Sequence, residues 1–177
     1  MTCIVGVIHN RRVYMGGDSA GVSGYSVTSR KDPKVFRRGE LVIGYTSSFR
    51  MGQVLRFSPS VPDKPEGADL YEWLCTKFVD GCRKAMKEAG YTETENGRES
   101  GGTFLVGVRG RLFTVQSDFQ VGETRDGFSA CGCGTDLALG AMAVTRGKKP
   151  EDRIRAALAV AERFSAGVRS PFLVVKE

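Results

Sequence analysis

Thr2 has the most direct route to chemistry of any residue in the chain, because its side chain is small enough for routine removal of the initiator Met1. Removal would expose a free α-amine. Such an amine has an ordinary pKa of roughly 7.7–8.0, so a large fraction is neutral near physiological pH and can take the proton of its own threonine hydroxyl. One residue would then supply both nucleophile and base. Many inert chains also begin Met-Thr, so the dipeptide alone leaves catalysis and an ordinary N-terminus both open. Other chemistries lack their parts. The one histidine, His9, falls in a turn, and no Gly-x-Ser-x-Gly elbow is present to build a serine or cysteine triad. Cys131 and Cys133 have no second ligand cluster beside them to complete a metal site. Gly132-x-Gly134 lacks the Gly-x-Gly-x-x-Gly and Gly-Lys-Ser/Thr signatures of a phosphate loop. No metal or organic cofactor is expected.

The elements that must position Thr2 are mostly strands. β-branched, apolar residues 2–8 and 12–15 flank the turn at His9-Asn10-Arg11 and predict a hairpin running into Gly16-Gly17-Asp18. A Gly/Ser-rich stretch, residues 19–29, precedes a second strand pair at 34–36 and 41–45 around Arg38-Gly39-Glu40. Ser47 or Ser48 can cap a helix through Met51, Val54, Leu55 and Phe57 that stops before Pro59. Pro62, Pro65 and Gly67 mark a loop. Leu70, Trp73, Leu74, Phe78, Val79, Cys82 and Met86 then recur at helical spacing up to Gly90, and Trp73 and Phe78 on that stripe read as core or interface residues. The polar run 92–100 reads as an exposed loop, and 103–108 with 111–115 as a hairpin. Helices at 135–144 and 151–164, the second opened by Pro150 and acidic residues, precede a last strand at 171–175. The residue pattern gives a layered α+β fold.

The order and spacing of several motifs carry a resemblance. Thr2-Cys3-Ile4-Val5-Gly6-Val7, then Val13-Tyr14-Met15-Gly16-Gly17-Asp18-Ser19, then Lys34-Val35 resembles the opening of proteasome β-type subunits and HslV-like proteins, members of the N-terminal nucleophile (Ntn) hydrolases. The resemblance implies a four-layer αββα sandwich, two antiparallel sheets between helical layers, with residues 1–177 as one domain. It implies a threonine-type hydrolase of peptide or amide bonds in which Thr2, Asp18 and Lys34 form the catalytic group. The Lys34 cation would disfavour protonation of the Thr2 amine, and Asp18 would hold Lys34 charged and oriented. Gly44-Tyr45-Thr46-Ser47-Ser48 lies where the family forms its oxyanion hole, which makes the Ser47 N–H the candidate donor. Serines stand there in place of the usual Gly-Gly, and simple helix capping is the alternative reading.

Further along, Ala130-Cys131-Gly132-Cys133-Gly134 resembles the family's Gly-Ser-Gly turn, with Cys133 in place of an auxiliary serine; a thiol is the weaker hydrogen-bond partner. Glu162-Arg163-Phe164-Ser165-Ala166-Gly167 resembles the Asp-x-x-Ser-Gly-Gly stretch that supports the threonine. Ser165 fits the serine there, and Glu162 is a longer substitute for the aspartate. Val22 stands where many relatives carry threonine beside the cleft. By the same resemblance the partners would be further copies of the chain in a ring or related homo-oligomer, a polypeptide substrate, and an ATP-dependent unfoldase. A non-catalytic proteasome-like scaffold subunit and an amidase for small amides are the alternatives.

Composition sets the outer bounds. The 177 residues are 41% hydrophobic and 26% charged, ordinary globular values. No apolar run approaches a membrane span and no secretory signal is visible, so a cytoplasmic location is expected. The net charge of +6 is scattered in short pairs such as Arg11-Arg12 and Lys148-Lys149 with no aromatic-interleaved stripe, which argues for a solvated surface over a nucleic-acid site. Five cysteines in no metal or disulfide spacing read mostly as reduced packing residues.

Overall fold

The computed structural model describes residues 1–62, 66–95 and 98–177. Strands β1 (Cys3–His9) and β2 (Arg12–Gly17) form the first hairpin. Its two loop residues, Asn10 and Arg11, both take left-handed φ (49° and 58°), the conformation that lets a two-residue loop follow the strand twist. Residues 19–29 form a further hairpin, β3 (Ala20–Ser23) and β4 (Ser26–Ser29). β5 (Val35–Arg38) and β6 (Leu41–Tyr45) pair as the sequence predicts. Helix α1 (Phe49–Phe57) follows, with Ser48 as its N-cap. The Arg38 guanidinium holds the end of α1 to β5, donating to the carbonyls of Leu55, Arg56, Ser58 and Val61 at 2.7–3.2 Å.

The loop marked by Pro62, Pro65 and Gly67 comes next, of which Pro65 lies outside the described residues. The amphipathic stripe forms α2 (Leu70–Trp73), a π-helical stretch (Leu74–Phe78) and α3 (Val79–Glu88), so the helix expected to run unbroken carries one wider turn. Gly90 (φ 66°) ends it in a Schellman cap, its N–H reaching Lys87 O while the Tyr91 N–H reaches Met86 O. The polar run 92–100 is not a plain loop: β7 (Glu93–Glu95) and β8 (Arg98–Ser100) pair, residues 96–97 lying outside the description. A two-stranded ladder in solvent needs no apolar face, which is why hydrophobic alternation gave no sign of it. The chain continues with β9 (Phe104–Val108), β10 (Arg111–Val115), β11 (Val121–Glu123), β12 (Phe128–Gly132), α4 (Thr135–Val144), α5 (Pro150–Phe164) and β13 (Leu173–Lys176).

Two antiparallel sheets result, ordered β12-β1-β2-β13 and β11-β10-β9-β6-β5. Three apolar clusters hold them. Ile4, Val13, Met15, Val35, Val42, Leu105, Leu112 and Cys131 form one cluster shared by strands of both sheets. Cys3, Val5 and Val7 of the same β1 join α4 and α5 through Met142, Ile154 and Leu158. Residues of the five-stranded sheet such as Ile43, Phe104 and Phe113 pack with Leu55, Trp73, Phe78 and Met86 of the helical segment between β6 and β7. β1 is therefore buried on both faces, which explains its unbroken apolar run.

Candidate active site

Thr2 directly precedes β1, Asp18 directly follows β2 and Lys34 directly precedes β5. Because β1 and β2 are antiparallel, Thr2 and Asp18 fall at the same end of the hairpin. Gly17 brings β5 to that end: a Cβ there would lie 2.9 Å from Ile4, 3.1 Å from Val35 and 3.6 Å from the Lys34 Cβ, so a side chain would push the strand away. Lys34 Nζ donates to both Asp18 oxygens at 3.0 and 3.1 Å. Asp18 also accepts from the backbone N–H groups of Cys3 (2.9 Å), Ala20 (2.8 Å) and Arg169 (3.3 Å). The two side chains are 1% and 0% exposed, and the three backbone N–H groups meet the bonding capacity that Asp18 has left, as a charge so buried requires.

Burial is also the main influence on the chemistry of this pair. It pulls the Lys34 ammonium below the ordinary lysine value of 10.5, with the charge and hydrogen bonds of Asp18 opposing it. The adjoining Cys3 thiol is pushed up to about 12, first by burial and then by the Asp18 charge. Cys3 is thus a neutral packing residue at neutral pH and no competing nucleophile.

Thr2 is itself only 5% exposed. Its hydroxyl donates to the Met1 carbonyl, and its N–H donates to Cys133 Sγ at 3.3 Å. The Cys133 thiol donates back to Thr2 O at 3.4 Å, and the Ser165 hydroxyl donates to the same sulfur at 3.4 Å. Gly132 permits this approach: its φ is 102° and a Cβ would stand 2.2 Å from Thr2 O. Cys131 is buried within β12, whereas Cys133, just past the end of the strand and after Gly132 with its φ of 102°, is exposed. Thr2, Cys133 and Ser165 are therefore in contact. Glu162 is not part of that contact. Its carboxylate accepts from the Ser170 N–H (2.8 Å) and hydroxyl (3.0 Å), tying α5 to the segment whose Arg169 N–H reaches Asp18.

The two serines after Thr46 divide the roles that the sequence leaves open between them. Ser48 is the helix cap, its side chain accepting from the Arg50 N–H at 3.0 Å. Ser47 is the centre of a tight turn with φ 64°, closed by the Ser48 N–H to Thr46 O at 2.7 Å. The Ser47 side chain is engaged beside the turn, accepting from the Thr103 N–H at 3.3 Å and contacting Thr46 Oγ1 at 3.2 Å. Among the described residues the Ser47 N–H has no partner. Ser47 lines one small cleft, about 60 Å³, with Met1, Thr2, Val22, Lys34, Tyr45, Thr46, Ser48 and Phe49.

Several contributors escape the sequence reading. The Cys3, Ala20 and Arg169 groups on Asp18 are backbone donors, which leave no side-chain signature. The cleft walls Tyr45 and Phe49 read as ordinary apolar residues of β6 and α1, and only their places beside the Ser47 turn could have marked them.

Three comparisons bear on this geometry. Protein-family models and curated sequences give no match. Solved structures do. BPH from Thiobacillus denitrificans superposes with a TM-score of 0.84 at 22% identity, the match covering 99% of this chain and 97% of that one. HslV from Trypanosoma brucei gives 0.69 at 18% identity over 99% and 98%. The Anbu protein of Yersinia bercovieri, described as an ancestral beta-subunit, gives 0.69 at 14% over 99% and 81%.

The fold is that of the proteasome-type Ntn hydrolases.

The resemblance read from the motifs is thus met at the level of fold, over nearly the full length of the chain. The proteasome-type fold also accounts for the mixed sheets and helices. No helix among the described residues is long and apolar enough to cross a membrane.

Proposed function

We propose that the chain is a threonine-type Ntn hydrolase of peptide or amide bonds, one domain over residues 1–177 in the four-layer αββα arrangement. The observation that carries this reading is the buried Asp18–Lys34 pair, whose lysine lines the same cleft as Thr2. Nothing about packing requires a lysine there, since a buried ion pair is often no more stabilising than apolar residues of similar volume. Once Met1 is removed, the Thr2 hydroxyl attacks the substrate carbonyl, and the Thr2 amine takes its proton and returns it to the leaving amine. Lys34, kept charged by Asp18, disfavours the protonated amine. The Ser47 N–H receives the oxyanion, and a backbone donor is indifferent to serine replacing glycine. Cys133, already accepting from the Thr2 nitrogen, would orient the amine with Ser165 behind it. Glu162 acts at one remove, by holding the segment that carries Arg169. Water then releases the acyl-enzyme, and no cofactor takes part.

The three clusters, one between the sheets and one with each group of helices, support the layered arrangement. By the fold likeness we also propose assembly with further copies of the chain, a polypeptide substrate, an ATP-dependent unfoldase and a cytoplasmic location. A second reading, the non-catalytic scaffold, corresponds to the chain with Met1 in place, where the Thr2 nitrogen is an amide that cannot serve as a base. Intact mass and a fluorogenic peptide panel separate the two. The hydrolase reading expects Met1 to be absent and turnover to fall by roughly four orders of magnitude in Thr2→Ala. Since the BPH structure was also solved in complex with epoxomicin, binding of that compound by wild type, weakened in Thr2→Ala, is expected as well. Retained Met1 without turnover favours the scaffold; activity undiminished in Thr2→Ala removes the mechanism.

A further inference from the structure

The turn that carries the Ser47 N–H has a conformation that serine resists. Its φ of 64° is left-handed, where a Cβ crowds the following carbonyl and costs about as much as one or two ordinary hydrogen bonds return. Such a turn persists only where its surroundings over-determine it. Three hydrogen bonds among Thr46, Ser47 and Thr103 do so. The Thr46 hydroxyl donates to Thr103 O at 2.8 Å, and the Thr103 N–H donates to Ser47 Oγ at 3.3 Å. Because the single Thr46 hydroxyl proton is committed to that carbonyl, the 3.2 Å contact between the two hydroxyls has Ser47 as its donor. The three bonds close a cycle in which each hydroxyl donates once and accepts once, so that each bond polarises the next.

Thr46 is the fixed member of the cycle. It is only 5% exposed, and its backbone is held as well, the N–H donating to Thr103 O at 3.0 Å and the carbonyl accepting the Ser48 N–H at 2.7 Å. Ser47, by contrast, is exposed. Gly102 lets the segment before β9 lie against it, since a Cβ there would stand 2.8 Å from both Ser47 Cβ and Oγ. No atom of the cycle belongs to Met1 or Thr2, so removal of Met1 breaks none of its bonds. The cycle also spends the Ser47 hydroxyl proton, which leaves that side chain no donor for a substrate.

We propose that Thr46 is a positioning residue for this reaction: its buried hydroxyl, acting through Thr103 and Ser47 Oγ, locks the Ser47 peptide so that its N–H is set for the oxyanion before substrate arrives. This rests on the hydrolase reading above and extends it from the donor to what aims the donor. The chemistry of a backbone N–H is indifferent to its side chain; its direction is not. Since an oxyanion donor acts in the transition state, misdirecting it lowers kcat and leaves KM nearly unchanged.

Thr46→Val, which keeps the shape and loses the hydroxyl, and Thr46→Ser, which keeps the hydroxyl, are compared with wild type by peptide turnover and by amide hydrogen exchange at Thr103. Thr46→Val is expected to lower kcat about tenfold or more, part of the roughly hundredfold or greater loss that follows deletion of an oxyanion donor, with KM within about twofold. Thr46→Ser is expected to bring kcat back to within about threefold of wild type. Thr103 exchange should quicken in Thr46→Val and not in Thr46→Ser. Should Thr46→Val fail to fold, Ser47→Ala opens the cycle from its exposed side with the same expected signature, while Ser47→Gly, which relieves the left-handed cost, should lose less kcat than Ser47→Ala. Quickened Thr103 exchange in Thr46→Val, where wild type hydrolyses no peptide, keeps the lock on the turn and defeats the hydrolase reading. A kcat unmoved in Thr46→Val, a loss that Thr46→Ser does not recover, or Thr103 exchange alike in all the variants overturns the inference.

Discussion

Two ion pairs in this molecule look alike on paper and do opposite things. Arg111 and Glu123, on β10 and β11, meet through two hydrogen bonds of 2.7 and 2.5 Å, shorter than the 3.0 Å between Lys34 and Asp18. Yet their side chains are 38% and 36% exposed, against 1% and 0% for the site pair. Water screens the first pair and lets either partner be lost cheaply. The second pair has only the protein around it, so its charge acts at full strength on neighbours and cannot be removed singly without leaving its partner stranded. Environment, not distance, decides which pair can serve chemistry.

The widest expected gap between the pairs comes from single substitutions in the buried one. Lys34→Met leaves Asp18 buried without its cation and is expected to cost about 3–5 kcal/mol in chemical denaturation, along with peptide turnover. Adding Asp18→Asn should recover most of that stability and none of the turnover. A double variant that regains activity would show the pair to be structural only.

Acidity sharpens the comparison next. The folded-state pKa of Lys34 lies below its unfolded 10.5, so between those values the folded protein binds fewer protons than the unfolded chain. The unfavourable contribution of the buried ammonium is therefore fully present below the lowered pKa and fades as pH rises toward 10.5. For activity, kcat/KM should rise with deprotonation of the Thr2 amine and fall again below pH 10.5 as Lys34 loses its charge. Because Asp18 opposes the lowering, the alkaline limb in Asp18→Asn should move to lower pH. An alkaline limb that stays in place would detach Lys34 from the rate.

The strands and helices that carry this pair were largely legible, and for a physical reason. β1, β2, β5 and β6 are buried and β-branched, and the helices repeat their apolar positions at the period of a helix. The hairpins β3–β4 and β7–β8 were not legible, because polar ladders in solvent carry no alternation. Within the site, Thr2 was marked by its place after Met1, and Asp18 and Lys34 only by the resemblance of their motifs to the proteasome-type family. Which serine capped α1 did not, since it depends on the backbone at Ser47 rather than on the side chain. Glu162 resembled a site acid, but its reach carries it to Ser170.

Smaller effects belong to the rim of the site. Cys133→Ala should reduce kcat/KM about fivefold, the value of one hydrogen bond of roughly 1 kcal/mol, whereas Cys133→Ser should keep or raise it because a hydroxyl is the better partner. Equal losses in both variants would assign the thiol a role of its own. The smallest effect is reserved for the exposed pair. Arg111→Ala should change stability by no more than about 1 kcal/mol, and less at high salt. A loss comparable to that of Lys34→Met would dissolve the contrast altogether.

The most direct test is an NMR titration of the Thr2 α-amine, selectively labelled, in Met1-free wild type and in Lys34→Met. The account predicts a wild-type pKa below the ordinary value of roughly 8 and a clear rise when the neighbouring ammonium is removed. An amine that titrates identically in the two proteins would contradict it.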